Sequence, residues 1–216
     1  MASLMAAACG SNVTDFDGSG GAGPSCQSFE DEPLPTGRPG GVLVRVRNEG
    51  SAPIFLTGAG CTTNIELSVT DPDGKDRVWQ SDDCTFTCED LQDNAGVCAA
   101  GCAIPPVMMI APGGSYDIEW NGALFEDVEM PEGCFFEPQN PGPQACFQRR
   151  VAVDGNYTLS TKVWPDLVDF DDVKCTPGPE GWCQLDNFAE VTGEVRTVNG
   201  WVNYPNETKV DIVVSE

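Results

Sequence analysis

The sequence predicts an all-β fold in which antiparallel strands form a two-layer β-sandwich with disulfide-braced loop insertions. Two observations support this prediction. Apolar and polar residues alternate along several short segments, which is typical of strands with one buried face. Twenty-four glycines and 17 prolines place turn signals between these segments, and no stretch has a clear helical period. Because each sheet must bury its apolar face against another element, two packed layers are expected.

The clearest element is a β-hairpin over residues 65–80. Apolar residues alternate from Ile65 to Val69, and residues 71–74 (Asp-Pro-Asp-Gly) form a turn signal. Proline presets φ in such a turn, and glycine supplies a positive φ. The returning strand is predicted at residues 77–80 and carries the large aromatic Trp79.

The same patterns predict the remaining elements. Further strands are expected at 42–48, 54–56, 107–110, 115–120, 151–164, 190–198 and 209–214. Trp120 ends a one-sided alternating segment, so we predict that it is a core residue. The segments 81–102 and 121–150 have no regular period, and they are predicted to be irregular insertions.

Three regions are expected along the chain. Residues 1–9 resemble the end of a lipoprotein signal, in which Cys9 would be lipidated. Residues 10–41 are rich in glycine, proline and acidic residues, which predicts a flexible linker. Residues 42–216 form the β-sandwich domain. The expected location is therefore the cell envelope or the extracellular space, with the lipid anchor as the only contact with a membrane.

Eleven cysteines also predict export, because disulfides persist in oxidising compartments. Without Cys9 an even number remains for disulfides, and the spacing favours the pairs Cys134–Cys146 and Cys175–Cys183. The ten cysteines are Cys26, Cys61, Cys84, Cys88, Cys98, Cys102, Cys134, Cys146, Cys175 and Cys183. A competing interpretation makes a four-thiolate zinc site of the two Cys-x3-Cys pairs, which are Cys84 with Cys88 and Cys98 with Cys102.

Charge and composition exclude several functions. The chain has 34 acidic and 11 basic residues, a net charge of −23, so we expect no nucleic-acid partner. Histidine is absent, which excludes Ser–His and Cys–His nucleophile pairs and any His-ligated metal. No cofactor is predicted. A carboxylate-based hydrolase is the remaining catalytic alternative, and its candidate acids are Glu119, Glu126, Asp127, Glu129, Asp166 and Asp169.

The two insertions contain the candidate binding residues. These residues are acidic or aromatic, and they are Asp82, Asp83, Phe86, Glu89, Asp90, Phe135 and Phe136. Exposed phenylalanines would indicate a binding surface, whereas buried ones would belong to a small satellite core. No metal site is predicted, although Asp71, Asp73 and Asp76 are weak calcium candidates.

Several motifs together resemble one family. They are Val42-x-Val44-x-Val46-x-Asn48, the hairpin from Leu67 to Trp79, Ile110-x-Pro112-Gly113 before Trp120, and Gly155-x-Tyr157. This series is similar to the intracellular proteinase inhibitor (BsuPI-type) domain. The resemblance implies an immunoglobulin-like β-sandwich, in which Tyr157 would form the tyrosine corner.

We therefore predict a non-enzymatic lipoprotein of the cell envelope, or a secreted one, whose sandwich is a protein-binding or structural module. The main alternative is a secreted protease inhibitor, for which rigid, disulfide-braced loops are suited.

Overall fold

The computed structural model describes residues 26–34, 41–58, 64–78, 86–93, 105–137, 141–168, 173–185 and 189–215. Most of this part of the chain is β-strand, and its one α-helix is α1 (Cys88–Asp93). The all-β prediction is confirmed. In chain order the strands are β1 (Val42–Asn48), β2 (Ile54–Thr57), β3 (Ser68–Thr70), β4 (Asp76–Val78), β5 (Val107–Ile110), β6 (Ser115–Trp120), β7 (Ala123–Met130), β8 (Gln144–Val151), β9 (Gly155–Val163), β10 (Asp166–Leu167), β11 (Cys175–Pro177), β12 (Trp182–Leu185), β13 (Val191–Thr192), β14 (Arg196–Tyr204) and β15 (Lys209–Val214).

Three larger sheets contain most of these strands. The first has six strands in the order β14-β9-β3-β4-β7-β8, the second has the order β15-β1-β6, and the third has the order β11-β12-β5-β2. The pair β10-β13 forms a small fourth sheet. Strands β1 and β15 are parallel, whereas the other paired strands are antiparallel.

One hydrophobic core joins the three larger sheets and gives the molecule its sandwich-like layers. Alternate residues of β1 are buried, so Val42, Val44 and Val46 enter this core as their spacing predicts. Trp120 is fully buried at the end of β6, and its indole Nε1 donates a hydrogen bond to the carbonyl oxygen of Ala123 at 2.9 Å. The predicted core position of Trp120 is correct.

The sheet with β5 and β2 is buried on both of its faces. Ile54 and Leu56 of β2 lie in the main core, whereas Phe55 packs with Leu167 and Leu185 in a second cluster on the opposite face. This burial on both faces explains why β2 is a continuous apolar segment and does not alternate.

The predicted irregular insertion over 121–150 is wrong, because β7 and β8 form a hairpin with eight paired residues on each strand. The apolar alternation of β7 is interrupted by Glu126, which occupies the same face as Leu124 and Val128. This charge hides the strand pattern in the sequence. The other predicted insertion, 81–102, contains the short helix α1.

The closing strand predicted at 190–198 lies further along the chain. Only Val191–Thr192 and the start of β14 fall in that range, while β14 continues to Tyr204. Gly200 weakens the strand signal of β14, but the structure explains its presence. A Cβ atom at this position would lie 2.7 Å from Cγ2 of Val210, so glycine allows β15 to cross β14 closely.

Replacing Leu159 with alanine tests the shared core. Leu159 is completely buried at the centre of β9, so the free energy of unfolding should fall by about 2–5 kcal/mol through lost burial and a cavity. The measurement is urea unfolding with the disulfides intact. The control is Val213→Ala, at a residue that is 45% exposed on β15, where a change within about 0.5 kcal/mol is expected. Equal losses in both variants would contradict the proposed core.

Candidate functional site

Two disulfides join three distant segments at one end of the β7–β8 hairpin. Cys26 is bonded to Cys134, and Cys88 is bonded to Cys146. We call residues 26–34, 86–93 and 131–137, with these two bridges, the disulfide-linked tip. The four cysteines pack with Met130 and neighbouring apolar side chains in a third hydrophobic cluster.

The predicted Cys134–Cys146 pair is therefore incorrect. Both cysteines lie in the same cluster, but each is bonded to a segment that is 108 or 58 residues away in the chain. The short spacing of Cys134 and Cys146 in the sequence favoured a local loop. In the folded chain Cys134 lies next to Cys26, and Cys146 lies next to Cys88. The predicted Cys175–Cys183 bridge is present between β11 and β12.

The structure tests the alternative zinc site at Cys88, whereas five other cysteines lie outside the part of the chain that it describes. Because Cys88 is disulfide-bonded, it is not available as a thiolate for the alternative zinc site. The predictions for Cys9, Cys61, Cys84, Cys98 and Cys102 lie outside the described residues.

The acidic binding candidates of the tip hold its backbone together. Thr87 Oγ1 accepts a hydrogen bond from the N–H of Asp90 at 3.2 Å, and Asp90 Oδ2 accepts one from the N–H of Thr87 at 3.0 Å. This reciprocal pair caps the start of α1. Glu89 Oε2 accepts a hydrogen bond from the N–H of Asp31 at 2.8 Å. The other two acidic candidates, Asp82 and Asp83, lie outside the described residues.

The phenylalanines of the tip have different environments. Phe135 packs against the third cluster, as the satellite-core interpretation predicts, and Phe86 is half-buried. Phe136 is 57% exposed, although its backbone N–H donates a hydrogen bond to the carbonyl oxygen of Leu91 at 3.0 Å. Phe136 is therefore an exposed aromatic side chain whose backbone is hydrogen-bonded to the rest of the tip.

The end of the expected linker lies along β8, at the edge of the six-stranded sheet. Gln148 Nε2 donates hydrogen bonds to the carbonyl oxygens of Ser28 and Glu30, both at 2.8 Å. The N–H of Arg149 donates to Asp31 Oδ1 at 2.8 Å. Residues 26–34 thus belong to the folded body and cover an edge strand that would otherwise expose its backbone.

A pocket of about 320 Å³ lies beside this edge, and a chain of alternating charges crosses it. Arg77 is bonded to Asp71 and to Glu126, each at 2.9 Å. Arg150 lies 3.5 Å from Glu126 and 3.2 Å from Glu32. Glu126 and Arg77 lie on the core-facing side of the six-stranded sheet. Among the described residues, no apolar side chain of another sheet covers them at this position, and they line the pocket instead.

The ionised forms of Asp71 and Glu126 are stabilised by their neighbours. Burial raises the pKa of Asp71, but the N–H of Lys75 and the guanidinium of Arg77 outweigh it, so its net pKa lies below the ordinary 3.8. The hydrogen bond from Arg77 lowers the pKa of Glu126 below its ordinary 4.5. A general acid requires a raised pKa, so Glu126 is unsuited to that role.

The carboxylates of two weak calcium candidates, Asp71 and Asp76, are already hydrogen-bonded to other groups. Asp71 Oδ1 accepts from the N–H groups of Asp73 and Lys75, and Asp76 Oδ1 accepts from Thr70 Oγ1 at 2.7 Å. Within the described ranges, no group of three or more Asp, Glu, Cys or His side chains could hold a metal ion.

Sequence reasoning missed Arg77 and Arg150. One signal in the sequence could have indicated this cluster of charges. Glu126 lies between Leu124 and Val128 at the spacing of one strand face, so a charged residue occupies a position where an apolar one is expected.

Comparison with known protein families, with curated proteins and with solved structures finds no match for this chain. In the described part of the chain, no helix has the length and apolar character needed to cross a membrane.

Replacing Arg77 with glutamine should lower the free energy of unfolding by about 1–3 kcal/mol at pH 7, because two partly buried carboxylates lose a charged hydrogen-bond donor. The folded-state pKa values of Asp71 and Glu126 are depressed, so their contribution is present at neutral pH and is lost as the pH falls through those values. The difference between variant and wild type should therefore shrink below about pH 4.

Urea unfolding at a series of pH values measures this effect. The control is Arg47→Gln, which removes an exposed ion pair with Glu49 and should change stability by less than about 0.5 kcal/mol. A loss in Arg77→Gln that does not depend on pH would show that the carboxylates are not the cause.

Proposed function

We propose that this chain is an exported, non-enzymatic protein whose immunoglobulin-like β-sandwich binds a partner protein through the disulfide-linked tip. The observation that carries the proposal is Phe136, a 57% exposed aromatic side chain two residues after the bridged Cys134. Aromatic residues held in this way contribute a large share of the binding energy in protein interfaces.

Export is supported by the disulfides. Three are present in the described residues, and such bonds indicate an oxidising environment. We include in the proposal that lipidation at Cys9 anchors the protein to the cell envelope.

The immunoglobulin-like part of the proposal is supported by Tyr157. Its hydroxyl donates a hydrogen bond to the carbonyl oxygen of Val153 at 3.0 Å, at the corner that leads into β9. A tyrosine near the start of a strand that bonds back to the preceding corner is the geometry of the tyrosine corner. The same geometry supports the proposed relation to the BsuPI-type domain.

The chemistry of the tip indicates what kind of partner it binds. The exposed acids Glu132 and Glu137 flank Phe136 in the sequence. A complementary surface would have an apolar recess surrounded by basic side chains. Because the two disulfides and the capped helix hold the tip in place, little conformational entropy is lost on binding.

A photo-crosslinking amino acid at position 136, introduced in the cell that produces the protein, tests this proposal. We expect one prominent crosslinked partner, and none from the same probe at position 213, which is 45% exposed on β15. With that partner purified, Phe136→Ala should weaken binding at least tenfold, which corresponds to the loss of about 1.4 kcal/mol. Absence of a crosslink specific to position 136, or unchanged affinity, would reject the tip as the binding surface.

Protease inhibition is a second candidate, and the backbone at Phe135 favours it. This residue is extended, with φ −84° and ψ 140°, and it lies between the bridged Cys134 and the exposed Phe136. An extended, braced segment is suited to substrate-like binding by a protease. Assays against serine and metalloproteases should show inhibition that Phe136→Ala reduces, and no inhibition at micromolar concentration would exclude this candidate.

A further inference from the structure

The outer face of the six-stranded sheet carries the most exposed large apolar side chain in the described part of the chain. Trp201, near the middle of β14, is 74% exposed. Its neighbours in sequence, Gly200 and Val202, are buried and face the core. Because side chains alternate between the two faces of a strand, Trp201 lies on the solvent-exposed face of β14.

The side chains around Trp201 are polar but uncharged. In the cross-strand register, Trp201 is opposite Thr158 of β9, which is opposite Thr70 of β3. The adjacent row places Asn199 opposite Ser160 and Ser68, and a third row pairs Asn203 with Asn156. We call these eight residues of β14, β9 and β3 the neutral face.

The neutrality of this face is unusual in a protein with a net charge of −23. At its borders the charges are bonded to neighbours. Lys162 Nζ lies 2.8 Å from Glu66 Oε1, and Asp76 Oδ1 accepts a hydrogen bond from Thr70. The eight residues of the face carry no charge themselves, and the carboxylates of Asp76 and Glu207 lie only at its ends, where they accept hydrogen bonds from Thr70 and Asn203. A purely apolar partner would bury the hydroxyl and amide groups of the face without hydrogen bonds.

Strand pairing and side-chain hydrogen bonds hold the neutral face in place. All nine residues of β14 pair with β9, and Gly200 packs closely against Val210 of β15. At one end Asn203 Nδ2 donates to Asn156 Oδ1 at 2.8 Å, and Asn206 Nδ2 donates to Asn203 Oδ1. The amides are therefore oriented before any ligand binds, which reduces the entropy lost on binding.

Several polar groups of this face are also available for a ligand. Within the described ranges, the side chains of Asn199, Thr158 and Ser160 have no hydrogen-bond partner. In the strand register they share the outer face with Trp201: Thr158 is directly opposite it, and Asn199 and Ser160 form the adjacent row.

We propose that the neutral face binds an uncharged carbohydrate chain. The C–H groups on one side of a sugar ring would stack on the indole of Trp201, while the sugar hydroxyls exchange hydrogen bonds with the asparagine and threonine side chains. An aromatic surface with a few convergent uncharged polar groups is the chemistry that such a ligand needs. This surface and the disulfide-linked tip have no residue in common, so each proposal can fail alone.

Isothermal titration calorimetry of the full chain with cellohexaose, xylohexaose, maltohexaose and chitohexaose tests the proposal. We expect at least one of these neutral hexasaccharides to bind, with an affinity that does not change between low and high salt. Trp201→Ala should reduce the affinity at least tenfold, and Trp201→Phe should retain part of it. Val213→Ala, which shortens an exposed apolar side chain on β15, outside both proposed binding surfaces, is the control and should bind like the wild type.

Three outcomes would overturn the proposal. They are no binding of any of the four hexasaccharides at millimolar concentration, equal affinity of Trp201→Ala and wild type, and a dimer in solution that Trp201→Ala converts to a monomer. The last result would mean that the face contacts a second copy of the chain. Because Trp201 is exposed, the urea unfolding midpoint of Trp201→Ala should match that of the wild type, which separates loss of binding from loss of structure.

Discussion

The two layers of the fold depend on the packing of three aromatic rings. Trp120 belongs to β6, whereas Tyr157 and Tyr204 belong to the six-stranded sheet, and the indole lies 5.1 and 5.2 Å from the two tyrosine rings. Trp120 and Tyr157 both satisfy their polar atoms with backbone carbonyl oxygens. These rings bury a large apolar surface, and their directional hydrogen bonds give the packing a defined orientation.

A different physical principle stabilises the far end of the β7–β8 hairpin. The third cluster has few large apolar side chains, and two disulfides supply much of its connection. Small cores need such covalent links because they bury too little surface to offset the entropy of the chain. The same bridges give the tip the rigidity that the proposed binding function requires.

The charged side chains of the pocket differ in role from the residues of the two proposed binding surfaces. The alternating charges of Asp71, Arg77, Glu126 and Arg150 satisfy one another in the pocket, so they serve stability. The tip combines an exposed aromatic ring with acids, and the neutral face combines one with hydroxyls and amides. The two surfaces would therefore recognise ligands of different chemistry.

The sequence by itself determined the all-β class, the bounds of β1, β5 and β6, and the burial of Trp120, because alternation and turn residues are local properties. Only the tertiary structure decided the partners of Cys26, Cys88, Cys134 and Cys146. It also decided that Phe135 packs against the third cluster while the neighbouring Phe136 is exposed. These features depend on contacts between residues far apart in the chain, for which spacing carries no information. The strands β7 and β8 were not predicted for a related reason. Each has a charged residue on its core-facing side, Glu126 or Arg150, and the ion-pair partners of Glu126 lie on other strands.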